Sequence, residues 1–343
     1  MKATWTALDL HPRHVFRISR AQRRSVRNVF LRLDSDGILG YGEASPNAFY
    51  AETAESVMEQ LAAARNWLET LRIASVADIE AAWIEGWQWL APSRAAQCAV
   101  DLALWDWLAR SQGVTVAELA WGEPARDVST FCTIGLSTPE ELDTKLAELA
   151  GFPRIKIKSD ASAALDLVRA VRARSDALLA VDANCAWRDH DLSGLARELV
   201  PLGVAFLEQP LPPGEESALP TERPLPIVAD ESCVTEEDVE RVAGQFDGFN
   251  IKLVKCGGIT PALRMVRRGA ALGRTVMVGC MLESSLLIAA GAVVAQRAAY
   301  ADLDGAWLLA DDPFTGWTFH RGTLIPPAGP GLGAEPAKSH PEA

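Results

Sequence analysis

From about residue 128 onward, eight short apolar runs alternate with stretches of helical period: "STFCTIG", "RIKIKSD", "LLAVDAN", "VAFLEQP", "LPIVAD", "GFNIKLVK", "TVMVGC" and "YADLDG". The text between them, such as "TPEELDTKLAELAG", "ASAALDLVRAVRARS" and "TEEDVERVAGQF", has helical spacing of its apolar residues and acidic first turns. Strands that alternate with helices pair in parallel, because a parallel neighbour needs a crossover and the helix supplies it. Eight such units over roughly 180 residues predict a closed (β/α) barrel rather than an open sheet.

The chain before this pattern is of another kind. "NVFLRLDSDGILGYGEASP" alternates apolar and polar residues about a turn at Ser35–Gly37, which predicts paired strands. Helical spacing follows from Ala54 to Gln112; its clearest piece, "SRAAQCAVDLALWDWLARSQG", has Ser93 as N-cap and Gly113 as stop. The end of the chain, "PPAGPGLGAEPAKSHPEA", reads as irregular and partly frayed.

With 343 residues and 49% hydrophobic content the chain can bury a large core. A net charge of −12 excludes nucleic acid or an anionic membrane as the main partner. No apolar stretch is long enough to span a bilayer, and the first residues lack the apolar run of a signal peptide. Cysteines 98, 132, 185, 233, 256 and 280 form no CxxC pair, so they are expected to be reduced thiols in a cytoplasmic protein.

In a barrel of this type the reactive groups stand at the C-terminal strand ends. Here those ends carry Lys156 and Lys158, then Asp182, Glu208 and Asp230, then Lys252, and finally Asp302 and Asp304. The chain has only seven lysines, and four of them fall in "KIK" and "KLVK". Arginine keeps its proton near neutral pH, whereas a buried lysine can be tuned to release it. Lys156 and Lys158, two apart on a strand, share the inward face, and crowding of two ammonium groups is expected to lower one pKa. A single Asp after a strand is commonly a turn former, but three consecutive carboxylate-ended strands flanked by lysine-ended ones point to a cation. Oxygen ligands without His or Cys suit Mg²⁺.

The motifs "YGEASP", "AVDLALWDWLAR", "KIK", "VDAN", "LEQP", "ADES", "IKLVKCGG" and "GPGLG", in this order, resemble the enolase superfamily in its muconate-lactonizing-enzyme-like subgroup. The resemblance covers nearly the whole chain. It implies an α+β capping domain over residues 1–122 and a (β/α)₇β barrel over 123–310, with a segment 311–343 returning to the cap. It further implies that Asp182, Glu208 and Asp230 hold one Mg²⁺ per subunit. Lys158 and Lys252 would face each other across the substrate, while Lys156 tunes Lys158 and meets the substrate carboxylate. The implied chemistry is removal of a proton α to a carboxylate through an ene-diolate. "TVMVGCMLESS" has no His, and the barrel's His190 falls in a loop, which disfavours a His-based site.

"ADLDG" resembles the Asp-x-Asp of dipeptide epimerases, which implies that Asp302 and Asp304 hold the α-ammonium of a dipeptide, with Thr133 as a further polar contact. The implied reaction inverts the α-carbon of the C-terminal residue, with L-Ala-Glu as a candidate substrate. The same scaffold also suits o-succinylbenzoate synthesis, N-acylamino acid racemisation or cycloisomerisation. A non-catalytic ligand-binding barrel is the reading that the intact core charges argue against. Specificity is expected from the cap: Arg17, Arg20, Arg23, Arg24 and Arg27 for an acidic side chain, Phe49 and Tyr50 as lid groups, or Glu52 for a cationic end. The only partner expected is the small-molecule substrate, and a homo-oligomer is compatible with this reading.

Overall fold

The computed structural model describes residues 1–14, 16–18, 21–136 and 139–340. The chain begins with five strands: β1 (Lys2–Leu10), β2 (Phe16–Ile18), β3 (Ala21–Arg23), β4 (Val26–Ser35) and β5 (Ile38–Ala44). β1, β4 and β5 form an antiparallel sheet, and β2 and β3 a separate hairpin. The β4–β5 turn is Asp36–Gly37, with φ of 58° and 77°, a pair of left-handed residues that matches the twist of the flanking strands. Helices α1 (Ala54–Thr70), α2 (Val76–Leu90), α3 (Arg94–Gln112) and α4 (Val116–Trp121) follow. Ser93 Oγ accepts from Ala96 N at 3.0 Å, and Gly113 ends α3 at φ 69°, as the sequence predicts.

α3 is buried almost all round, and β5 carries glycines where the helix crosses it. A Cβ at Gly42 would stand 1.9 Å from Ala99 O and one at Gly40 2.3 Å from Ala103 O, so only glycine admits this approach.

The barrel strands are β7 (Cys132–Ile134), β8 (Arg154–Lys158), β9 (Leu178–Asp182), β10 (Val204–Glu208), β11 (Ile227–Ala229), β12 (Gly248–Lys252), β13 (Thr275–Gly279) and β14 (Tyr300–Asp302), after a short β6 (Val128–Ser129). All eight predicted runs are strands, and they pair in parallel in chain order. The two ends of the sheet meet where Phe131 N donates to Ala301 O at 2.8 Å and Leu303 N to Thr130 Oγ1 at 2.7 Å. Phe131, Ala180, Phe206, Val228 and Met277 fill the interior as an apolar cluster of their own. The helices of the barrel are α5 (Pro139–Glu148), α6 (Ala161–Arg172), α7 (Leu192–Leu199), α8 (Val239–Ala243), α9 (Leu253–Cys256), α10 (Ile259–Ala271) and α11 (Ser285–Ala295).

The end of the chain is better anchored than its composition suggests. Leu332 N donates to Asp106 Oδ1 at 2.7 Å, Arg110 Nη2 to Ala334 O at 2.8 Å, and Leu332 and Ala334 are buried. Buried acids recur at these junctions. On α3, Asp101 takes Thr260 N of α10 at 2.9 Å; on β5, Glu43 takes Ser284 N, ahead of α11, at 3.0 Å. Burial pushes Glu43 and Asp101 up to about 7 and Asp106 to about 6, although hydrogen bonds and nearby arginines pull the other way.

A carboxyl with a raised folded-state pKa holds its proton longer in the folded than in the unfolded chain. Its stabilising contribution is therefore complete below about pH 4 and lost as pH rises toward the raised value. For Glu43 alone the full swing is of order 3 kcal/mol. The depressed carboxylates described below act only under about pH 4, outside that window. In chelator, the melting temperature should fall between about pH 5 and pH 8, and Glu43→Gln should flatten part of that slope. A wild-type profile that rises over the same interval would contradict the buried-acid account.

Candidate active site

Register places the charged residues at one level. Lys158 pairs with Asp182 and Asp182 with Glu208 across β8, β9 and β10, and Asp230 directly follows β11. Strands β8 and β12 are separated by three strands on each side around the closed sheet, so Lys158 and Lys252 approach the barrel axis from opposite directions. Between them, one arc carries Asp182, Glu208 and Asp230, and the other carries Asp302, Asp304 and Thr133.

Every carboxylate here is answered by a neighbouring cation or donor. Lys156 is fully buried beneath the mouth, with Nζ 3.1 Å from Asp182 Oδ2, 2.7 Å from Glu208 Oε2 and 2.8 Å from Asp302 Oδ2. Lys158 Nζ donates to Asp182 Oδ2 at 2.7 Å and to Asn184 Oδ1 at 3.3 Å. Lys252 Nζ donates to Asp230 Oδ2 at 2.8 Å. Asp304 Oδ2 accepts from Thr133 N at 2.6 Å, and Thr133 Oγ1 donates to Asp302 Oδ1 at 3.3 Å.

The electrostatics differ in one respect from the sequence expectation. Burial alone would lower Lys156 and Lys252, but their carboxylate neighbours outweigh it and hold both well above the ordinary lysine value. For Lys156 the acidic partners, and not crowding by a second ammonium group, decide the direction. Burial would likewise raise Asp182 and Asp230, yet Lys156 and Lys158 hold the first down and Lys252 and Lys255 the second. Glu208 goes the other way: burial, with repulsion from Asp182 and Asp230, pushes it up to about 7 despite Lys156. Burial and the Asp302 charge push Asp304 up to about 7 as well.

Sequence reasoning missed the groups that hold these side chains in place. Lys255, three residues past Lys252, is fully buried and donates to Asp230 Oδ1 and Asp230 O, both at 2.6 Å, and to Asn250 O at 3.1 Å. Gln209, at φ 36°, accepts from Asp230 N at 2.8 Å and donates to Ser232 Oγ at 2.9 Å. Asn250 Nδ2 donates to Glu208 Oε1 at 2.9 Å. Asn184 and Cys185 both have positive φ, 42° and 67°, and Asn184 N donates to Asp182 Oδ1 at 2.9 Å. The scarcity of lysine was the one signal that could have exposed Lys255.

A cavity of about 360 Å³ opens above these groups. Lys158, Lys252, Asp230, Thr133, Asp302 and Asp304 line its floor and sides, while Lys156, Asp182 and Glu208 lie beneath it. Phe49 and Tyr50, edge to face with centroids 5.0 Å apart, line its cap side with Val26, and Met281 and Leu282 line it from the segment after β13. Two expectations for the cap are corrected. Glu52 is buried and accepts from Ala95 N at 3.1 Å, at the start of α3, so it serves that helix and not the cavity. Arg24 is exposed and outside the cavity lining. Arg20 and the side chains of Arg17 and Arg23 lie outside the described residues.

Residues 141–340 match the sequence profile of the enolase C-terminal domain-like family, and residues 2–120 that of the mandelate racemase/muconate lactonizing enzyme N-terminal domain. The L-Ala-D/L-amino acid epimerase of Flavobacterium johnsoniae is 36% identical over 328 residues, covering 94% of this chain and 96% of the relative. The L-Ala-D/L-Glu epimerase of Escherichia coli is 37% identical over 313 residues, covering 90% and 94%. The structure of a dipeptide epimerase from Methylococcus capsulatus, complexed with Mg and L-Arg-D-Lys, superposes with a TM-score of 0.88 at 30% identity, covering 97% of this chain and 98% of that one. Profile, relatives, barrel order and cap sheet agree, and the chain belongs to the enolase superfamily, in its mandelate racemase/muconate lactonizing enzyme branch.

Proposed function

We propose that this protein is a Mg²⁺-dependent dipeptide epimerase that inverts the α-carbon of the C-terminal residue. The observation that carries the proposal is the division of the barrel mouth into two opposed lysines and two opposed acidic arcs. A zwitterionic dipeptide laid across that mouth sets its α-carboxylate toward Asp182, Glu208, Asp230 and Lys156, and its α-ammonium toward Asp302 and Asp304. The carbon next to the carboxylate then lies between Lys158 and Lys252, one on each face.

Among the described residues no three acidic, His or Cys side chains form a ready-made metal cage; ammonium groups sit on the carboxylates instead. The donor set nevertheless fits Mg²⁺, since Asp182, Glu208 and Asp230 are buried oxygen donors at the ends of three adjacent strands, and burial with repulsion from the two aspartates raises Glu208 despite Lys156. These three residues would hold one ion, which supplies Lewis-acid stabilisation of the charge that develops on the substrate carboxylate. The negative charge that keeps the proton on Lys252 would be offset by an ion held by Asp182, Glu208 and Asp230. Lys158 or Lys252, whichever is then neutral, takes the α-proton, and the opposite lysine, as ammonium, returns one to the other face. The two lysines thereby exchange protonation states in each turnover, and the reverse reaction starts from the result. Lys156 neutralises the carboxylate end, and the walls of the cavity exclude water from the carbanionic carbon.

The preferred substrate carries an acidic C-terminal side chain, as L-Ala-L-Glu does. The activity that the name of the Escherichia coli relative states supports this choice.

The test is incubation with Mg²⁺ and mixed dipeptides in D₂O. Epimerised product should gain one mass unit, and L-Ala-L-Glu should rank above apolar dipeptides. Asp302→Asn with Asp304→Asn should lower kcat/KM for the best dipeptide at least about tenfold, and as much as about a hundredfold. Wild type should reject the N-acetylated dipeptide, and the double variant should lose most of that discrimination. Equal turnover of free and N-acetylated dipeptides would move the assignment to N-acylamino acid racemisation.

A further inference from the structure

The segment that follows β13 forms one wall of the cavity through Cys280, Met281 and Leu282. Its polar groups are answered from the cap. Leu282 O accepts from Asn28 Nδ2 at 3.0 Å and from Ser45 Oγ at 3.3 Å. Ser284 donates through N to Glu43 Oε1 at 3.0 Å and through Oγ to Glu43 Oε2. Glu43 Oε1 also accepts from Asn28 Nδ2 at 2.7 Å, and Glu43 and Asn28 are both fully buried. Two residues after Glu43 the chain becomes the adjoining stretch of wall, Ser45 to Tyr50, and Asn47 Nδ2 reaches Met281 Sδ at 3.6 Å. A buried carboxylate with three donors is an expensive group to keep, and all three donors here belong to residues that form or brace the cavity walls.

We propose that Glu43 is a positioning residue for substrate binding: it fastens the 281–284 segment to the cap, so that Met281 and Leu282 keep a fixed place against the adjoining 45–50 wall. Glu43 touches neither substrate nor metal ligand; it acts through the two walls. The role rests on the proposed epimerase reading and adds to it a determinant of side-chain fit that lies outside the cavity.

The experiment compares wild type, Glu43→Ala, Glu43→Gln and Ser284→Ala. It uses the best dipeptide for kinetics, and for affinity an analogue whose C-terminal residue is α-aminoisobutyrate, which has no α-proton and cannot react. Glu43→Ala should raise KM and the analogue Kd at least about tenfold, with kcat within about threefold of wild type. Glu43→Gln should restore binding, because its amide can still accept from Ser284 N and donate to Ser284 Oγ. Mn²⁺ affinity, read by electron paramagnetic resonance, should stay unchanged in all variants. A folded Glu43→Ala with wild-type KM and Kd overturns the proposal, as does a fall in kcat with KM unmoved. If Glu43→Ala does not fold, Ser284→Ala decides: an intermediate rise in KM supports the fastening role, and an unchanged KM overturns it. Failure of the epimerase reading itself looks different, since wild type would then neither exchange nor bind dipeptides.

Discussion

Replacement of Lys252 by alanine should slow epimerisation of the best dipeptide at least about a thousandfold, within the range that a positioned proton donor or acceptor contributes. The metal ligands should survive the change, because Asp230 keeps the two hydrogen bonds from Lys255. Lys158→Ala should be equally damaging. The opposed placement of the two lysines gives the prediction a sharper form. With Lys252 gone, Lys158 can still exchange the α-hydrogen of the one epimer that presents it to that face, without inversion, while the other epimer stays inert in D₂O. With Lys158 gone the inert and exchanging epimers should swap. Near-normal turnover by either variant, or exchange of both epimers by a single variant, would end the two-base account.

Conversion of Glu208 to Gln, or of Asp182 or Asp230 to Asn, should weaken Mg²⁺ binding and reduce turnover to background; excess chelator should do the same reversibly to wild type. Titration with Mn²⁺ followed by paramagnetic resonance reads the binding loss without any appeal to activity. The three changes should differ in what they do to the fold. Asp230→Asn leaves Lys252 and Lys255 buried with only a neutral partner, the costly case for an ion pair broken on one side. Glu208→Gln removes a charge that burial already disfavours and keeps an acceptor for Asn250 Nδ2, so it should be the best tolerated. Full activity in excess chelator would rule out the metal.

The barrel and the charges at its strand ends were legible because both follow from local pattern. A strand ends where its apolar run ends, and a charge there has one place to point. Lys255 was not legible in the same way: it sits on the short helix α9, where nothing in "KLVK" tells a solvent-facing lysine from one folded back under Asp230. Glu52 misled for the converse reason, since its position beside Phe49 and Tyr50 suggested the cavity, while its carboxylate turns to the backbone of α3. Glu43 and Ser284 are 241 residues apart, and only the assembled fold brings them together. The tail's glycines and prolines suggested fraying, yet Asp106 supplies a buried acceptor that composition could not show.

The same long helix determines how a substrate can get in. α3 presses on β5 with no side chain between them at Gly40 and Gly42, holds α10 through Asp101 and through Trp105 Nε1 to Thr260 Oγ1 at 2.9 Å, and takes the chain's end on Asp106. A body bolted in three directions does not swing. Cap and barrel therefore cannot part like two jaws to admit a dipeptide, as hinged two-lobed enzymes do. That leaves the rim as the way in, and Phe49 there is 44% exposed. Substitutions on the sheet-facing side of α3 should then disturb folding and leave the rate of product release alone, whereas exchange of a few rim residues can retune the entry path while the frame stays fixed.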